Sequence, residues 1–304
     1  MELRLLRTFR AVAAAGSFTR AAADLGYVQS NVTAQIKTLE HEIGAPLFER
    51  LGRRIVITDA GHRLVEYADR ILRLADDATA ELRAIASGDG ELVGTLRIGA
   101  AETLCAYRLP AVLRTLADRH PRLRVVFRPA PRTELLADLS AARLDAALLL
   151  EEPIAGTGLA VEELAAEPLR LVAAPDHRLA SATSVVPADL ADEPLIQVEE
   201  GCAHREVFDR ALRAAGVAPP VLAEFASIEA VKQCAVAGLG VAMLPAVAVR
   251  GELRRGDLVV LPWSVPGSMA LQTQAVRLAR RAPSPALTAL LDLARTAWAE
   301  PAGD

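Results

Sequence analysis

From Gly26 to Leu39 the chain carries amides, hydroxyls and a lysine, and not one acid. Side chains of this kind suit base edges: Gln and Asn pair with adenine, Ser and Thr with several partners, Lys with guanine or phosphate. Gln29, Ser30, Asn31, Thr33 and Lys37 are the candidates, joined by Arg53 and Arg54 further on, whose charge suits phosphate. A second set of residues, Ala101-Glu102-Thr103, Pro131-Arg132-Thr133, Glu200-Gly201-Cys202-Ala203-His204 and Ala226-Ser227-Ile228, supplies backbone N–H groups, hydroxyls and one guanidinium. These would suit a small carboxylate or other anion, with Glu102 discordant unless it selects an amine. Each hydroxyl taken singly fits helix capping better than ligand contact, and it is the cluster that points to a ligand. Cys202 beside His204 invites a redox or catalytic reading, because a nearby histidine favours the reactive thiolate. Against enzyme chemistry, GxSxG, a phosphate loop and HExxH are all missing, and Gly238-Leu239-Gly240 lacks the rest of a dinucleotide fingerprint. Neither the three cysteines nor the five histidines show metal-ligand spacing. No catalytic residue, metal or cofactor is expected.

The elements around the first set are short helices. Leu3, Leu6, Phe9 and Val12 form one stripe on a helix that ends at Gly16. Ser17 then caps a second helix with Phe18, Ala21, Ala22 and Leu25 inside and Gly26 as its stop. Val32, Ile36 and Leu39 turn one side of a third helix inward, which leaves Gln29, Ser30, Thr33, Ala34 and Lys37 on the opposite side. Periodicity alone fits a major-groove reader and a helical hairpin with a solvated face equally. The next segment, Leu47 to Arg50 and Gly52 to Thr58, favours the first, because it spells a β-ribbon with a basic tip. A long helix follows, capped by Thr58, in which Leu64, Ala68, Ile71, Ala75, Ala78, Leu82 and Ile85 alternate spacings of four and three. So narrow a seam pairs with another helix or packs on its own domain. Ser87-Gly88-Asp89-Gly90 ends it.

Strand and helix alternate from Gly94: strands at Leu96 to Ala100, Leu123 to Phe127 and Asp145 to Leu150, with helices between, predict a parallel βαβαβ sheet. The rhythm repeats through Leu169, Leu195, Val221 and Gly240, and Ala270 to Val276 then returns to the first lobe. Ligands in such sheets sit beyond the carboxyl ends of strands, which is where the second residue set falls.

With 304 residues and 52% hydrophobic content, more than one core is expected. The net charge of −4 is unevenly spread: residues 1–60 hold eight bases against six acids, so the remainder carries −6. An apolar run at 235–249, broken by two glycines and a proline, is too short for a membrane span, and scattered cysteines fit a reducing cytoplasm.

Phe9-Arg10-Ala11-Val12, Gly16-Ser17-Phe18-Thr19-Arg20-Ala21-Ala22, Gln29-Ser30-Asn31-Val32-Thr33, Leu47-Phe48-Glu49-Arg50 and Thr58-Asp59-Ala60-Gly61 together resemble the winged helix-turn-helix of LysR-type transcriptional regulators. Val28 replaces the serine usual before Gln29 in that family, and Ala34 an arginine. The resemblance implies an N-terminal all-α winged helix-turn-helix at 1–60, a linker and dimerisation helix at 61–90, and a C-terminal α/β two-lobed effector domain at 91–304, similar to periplasmic binding proteins. Its lobe I would be 91–162 with 268–304, and lobe II 163–267. The implied partners are double-stranded operator DNA, a small-molecule effector and further copies of the chain, as homodimer or homotetramer, with RNA polymerase left open. A solute-binding protein would share the two lobes without needing residues 1–60, and an α/β enzyme would need motifs that are missing. Effector, operator, and activation versus repression are not specified by the sequence.

Overall fold

Leu5, Leu6, Phe9 and Val12 are buried on α1 (Leu3–Ala15), whereas Leu3 is 38% exposed; the four-three spacing of Leu5, Phe9 and Val12 makes the inward face. α2 (Phe18–Leu25) begins at Ser17, whose hydroxyl accepts from the Arg20 N–H at 3.4 Å, and ends at Gly26. α3 (Gln29–Ile43) starts at Val28 with no side-chain cap and ends at Gly44. β1 (Phe48–Leu51) pairs antiparallel with β2 (Arg54–Ile57), Phe48 opposite Ile57 and Leu51 opposite Arg54. The ring of Phe48 lies 5.4 Å from that of Phe9 and 5.8 Å, edge-on, from that of Phe18, which fastens the ribbon to the helices. This computed structural model describes residues 1–51, 54–87, 91–267 and 269–299, so the ribbon tip with Arg53 lies outside the described residues.

α4 (Asp59–Ser87) starts at Thr58, whose hydroxyl accepts from the Gly61 N–H at 3.0 Å. Its apolar stripe divides. Leu64, Ala68 and Ile71 pack with Leu72 onto the core of α1 to α3, whereas Ala78 and Leu82 are exposed, as is neighbouring Leu74 at 69%. Arg7 bonds Asp76 at 2.8 Å and Arg10 bonds Asp69, so two of the eight N-terminal bases are neutralised by α4. A Cβ at Gly61 would stand 2.4 Å from the Leu47 carbonyl oxygen and 2.5 Å from Ile57 Cγ1. Gly61→Ala is therefore expected to cost about 1–3 kcal/mol through overpacking, read as a lower melting midpoint; an unchanged midpoint would show that the ribbon yields freely.

The chain forms two compact units, residues 1–95 with 140–143 and residues 96–139 with 144–304. The second unit runs β3 (Gly94–Ala100), a π-helical turn (Leu104–Arg108), α5 (Leu109–Arg119), β4 (Leu123–Pro129), α6 (Arg132–Ser140), β5 (Ala146–Glu151) and β6 (Leu159–Ala173). It continues with β7 (Leu195–Val198), α7 (Ala203–Ala214), β8 (Val221–Phe225), α8 (Ile228–Val236), β9 (Ala242–Pro245), α9 (Ala246–Arg255), β10 (Val259–Leu261), β11 (Ala270–Leu278) and α10 (Pro285–Trp298). The strands order as β10-β6-β11-β5-β3-β4, with β9 also on β6 and a separate parallel pair β7-β8. The expected parallel sheet is thus mixed: β3 and β5 run parallel, but β11 lies between β5 and β6, antiparallel to both. A strand that brings the chain back to the first lobe runs against the one that left it. β6 serves both lobes, pairing with β11 through Pro168 and with β9 from Leu169.

An ion pair at the lobe crossover is sealed inside. Arg108 is 7% exposed and Glu167, on β6, is fully buried; Arg108 Nε lies 3.2 Å from Glu167 Oε2. Glu167 Oε1 accepts from the Val247 N–H at 2.8 Å, and Trp298 Nε1 donates to the Arg108 carbonyl at 3.3 Å. Among the described residues no helix is long and apolar enough to cross a membrane.

Candidate functional site

Val32, Gln35, Ile36 and Leu39 face inward on α3, and Gln29, Ser30, Asn31, Ala34 and Lys37 are exposed. The side chains of Gln29 and Ser30 make no hydrogen bond, and Lys37 no ion pair, among the described residues. Thr33 Oγ1 donates to the Gln29 carbonyl at 2.9 Å, so its hydroxyl proton is used within the helix and only lone pairs and methyl are on offer. Asn31 is oriented from beneath: Thr8 Oγ1 donates to Gln35 Oε1 at 2.6 Å, and Gln35 Nε2 donates to Asn31 Oδ1 at 2.6 Å. The carboxamide oxygen of Asn31 is occupied, and its NH2 is left as the outward donor. Sequence reasoning passed over Thr8 and Gln35, although a glutamine three residues after Val32, beside Ile36, was the signal. Arg54 sits opposite Leu51 at the end of β2, and Arg53 lies outside the described residues.

The second unit encloses a cavity of about 540 Å³ between its lobes. Ala101, Glu102 and Thr103 reach it from the end of β3, Arg132 and Thr133 from the start of α6, and Gly201 and Cys202 from the loop before α7. Ser227 does not line it: the chain presents Ala226 and Ile228 there instead, so that candidate is off by one position. Glu200, Ala203 and His204, from the same expected set, line it too, and so do residues missed in the sequence, chiefly Glu151, Glu199 and Glu206. Glu151 closes the apolar run of β5, and strand ends are where such cavities form, so its position was the available signal. Capping does not account for two of the hydroxyls: neither Thr103 nor Ser227 makes a side-chain cap hydrogen bond.

Burial dominates the electrostatics. It pushes the Cys202 thiol up to about 12, with Glu151, Glu199, Glu102 and Glu206 adding to the shift. His204, with Nδ1 3.5 Å from the Cys202 sulfur, is brought down to about 4 by burial and is neutral at physiological pH. The reactive-thiolate reading of Cys202 therefore fails, because a thiolate would be desolvated among carboxylates with no imidazolium beside it. Alkylation of Cys202 by iodoacetamide in the folded chain at about pH 8 is expected to be far slower than that of free cysteine; an equal rate, followed by peptide mass mapping, would contradict this. Glu151 is raised to about 7 by burial, against the opposing charge of Arg132 and with help from Glu206 and Glu152. Away from the cavity, Tyr107 donates to Glu229 at 2.9 Å, and Lys232 lies 3.0 Å from Glu252 and 3.4 Å from Tyr107, which ties the π-helical turn to α8 and α9.

Residues 3–62 match the bacterial regulatory helix-turn-helix of the lysR family, and residues 89–299 match the LysR substrate binding domain. The HTH-type transcriptional regulator YwqM of Bacillus subtilis (strain 168), itself uncharacterised, is 39% identical over 264 residues, covering 86% of this chain and 88% of YwqM. The regulator CbbR of Xanthobacter flavus is 34% identical over 294 residues, 95% of this chain and 86% of CbbR. Among solved structures, full-length CbnR in complex with its target DNA is 26% identical with a TM-score of 0.70, covering 98% of this chain and 100% of CbnR. A full-length OxyR variant from Pseudomonas aeruginosa is 25% identical with a TM-score of 0.71, covering 98% of this chain and 95% of OxyR. A helix-turn-helix whose third helix turns uncharged polar groups and a lysine outward, joined to a two-lobed domain with a cavity, accords with each of these matches, and the chain belongs to the LysR family of DNA-binding transcriptional regulators.

Proposed function

We propose that this regulator reads an interrupted palindromic operator as a homo-oligomer and changes its grip when a small molecule occupies the interlobe cavity. The observation that carries the reading is the outer face of α3, where Gln29, Ser30, Asn31 and Lys37 are exposed together and the aliphatic residues are turned inward. Residues 1–60 would form the reading head, 61–90 the pairing helix and 91–304 the effector domain, in the cytoplasm where the DNA is. The exposed stripe residues Ala78 and Leu82 of α4, with Leu74 beside them in water, support pairing of two copies, as a dimer or as a tetramer built from dimers. Such a dimer places two heads on half-sites about one helical turn, or a multiple of it, apart. RNA polymerase would be the downstream partner. A switch additionally requires that the effector bind two conformations unequally.

The test is a footprint of the full chain on the promoter region of its own gene and of the neighbouring genes, with random duplex as competitor at physiological salt. Two protected half-sites are the expected result; no preference for any promoter fragment over random duplex would overturn the reading.

A further inference from the structure

The cavity is acidic. Glu102, Glu151, Glu199, Glu200 and Glu206 line it, against the single guanidinium of Arg132. Arg132 is 3.7 Å from Glu151, and Glu200 is 3.7 Å from Arg205, so these carboxylates have counter-charges. Glu102, Glu199 and Glu206 have no ion pair among the described residues, and Arg210, the cation that Glu206 acts on, is bonded to Glu152 at 2.7 Å. Four of the glutamates converge, since Glu151, Glu199, Glu102 and Glu206 all act on the one thiol of Cys202. Two come from each lobe. Like charges gathered across a cleft repel one another, and a positive charge between them relieves the repulsion.

One further group is disposed toward a polar ligand: Thr103 is 5% exposed, lines the cavity and has a hydroxyl with no partner among the described residues. Leu149, Leu150, Val198 and Ile228 supply apolar wall. No cluster of three or more His, Cys, Asp or Glu residues among those described is disposed to hold a metal ion, which points to an organic cation.

We infer that the cavity binds a protonated amine carried on a hydrocarbon body, its ammonium held between Glu102 and Glu151 of one lobe and Glu199 and Glu206 of the other. This rests on the reading of the cleft as the effector site, and it replaces the small anion expected from the hydroxyls and Arg132 alone. An ammonium bound to both lobes favours the closed cleft, which gives the unequal affinity a switch needs.

The experiment uses the full chain, calorimetry and thermal melting, with hexylammonium, hexanoate and hexanol as matched probes and 2-phenylethylammonium as a second body. Ammonium forms are expected to bind on the order of tenfold more tightly than the alcohol. The double substitution Glu102→Gln with Glu199→Gln is expected to remove most of that advantage. Its ligand-free melting midpoint should equal or exceed that of the parent, since repulsion is relieved, so a lost advantage with an intact melt reports charge recognition and not misfolding. Ammonium affinity should also rise between about pH 6 and pH 8, as Glu151, facing Arg132, Glu206 and Glu152, loses its proton. Hexanoate binding as tightly as hexylammonium, or hexylammonium no tighter than hexanol, overturns the charge class. If such binding is lost in Ala101→Trp, which fills the cavity, the cleft reading survives without it. No binding by any probe overturns both.

Discussion

Replacing Gln29 and Ser30 together with alanine is expected to erase most of the preference of the full chain for its promoter over random duplex, while much of its general affinity for DNA persists. A good bidentate contact to a base edge, of the kind Gln29 can make, discriminates by about 1–3 kcal/mol, so its loss together with a single Ser30 hydrogen bond should reduce the preference by about an order of magnitude or more per reading head. General affinity comes from phosphate contacts and follows salt. Arg20 and Lys37, exposed and in no ion pair among the described residues, are expected still to provide it. Arg7 and Arg10 do not enter, because Asp76 and Asp69 already hold them. Thr33→Ala should add less, its hydroxyl proton being committed to the Gln29 carbonyl. Competition anisotropy at fixed salt measures both quantities; an unaltered promoter preference in the double variant would place base reading elsewhere.

The second large effect concerns stability. Glu167→Ala strands the Arg108 guanidinium where it is 7% exposed and deprives the Val247 N–H of its acceptor. Removing one partner of a buried pair costs about 3–5 kcal/mol, because the charge left behind has no compensation. For a unit of this size the melting midpoint falls by on the order of 10 °C. Differential scanning calorimetry of the full chain would show the effector unit melting early while the reading head keeps its own transition. A loss below about 1 kcal/mol would mean that water reaches Arg108 and the pair is not sealed.

The local elements of the first unit were legible because one face of each helix is apolar and two of the helix starts carry a capping signal, at Ser17 and Thr58. Register within a stripe was less so: Leu3 and Leu5 both fit a helical period, and only the position of the core chooses Leu5. The heptad run of α4 was visible, but not its division between Ala68, spent on its own unit, and Leu82, left exposed. In the second unit each strand could be found, yet the antiparallel insertion of β11 depends on a pairing across more than a hundred residues that no local pattern encodes. The sign of the cavity escaped for a related reason. Glu102, Glu151, Glu199 and Glu206 are unremarkable singly in the chain, and only folding adds their fields at one place. Gln35 was hidden by its type, since a buried amide is recognisable only through the partners, here Thr8 and Asn31, that satisfy it.

β6 runs unbroken from one lobe into the other, laddered to β11 up to Pro168 and to β9 and β10 from Leu169. Translation of one lobe along the other would have to break a ladder, and a one-residue slip would turn every side chain of the strand to the wrong face. What such a ribbon permits at small cost is torsion about its own axis, a strand's natural deformation. The two halves of the cleft are therefore geared by a twisting rod, and Glu167, anchored beside the crossover, marks where the rod is clamped.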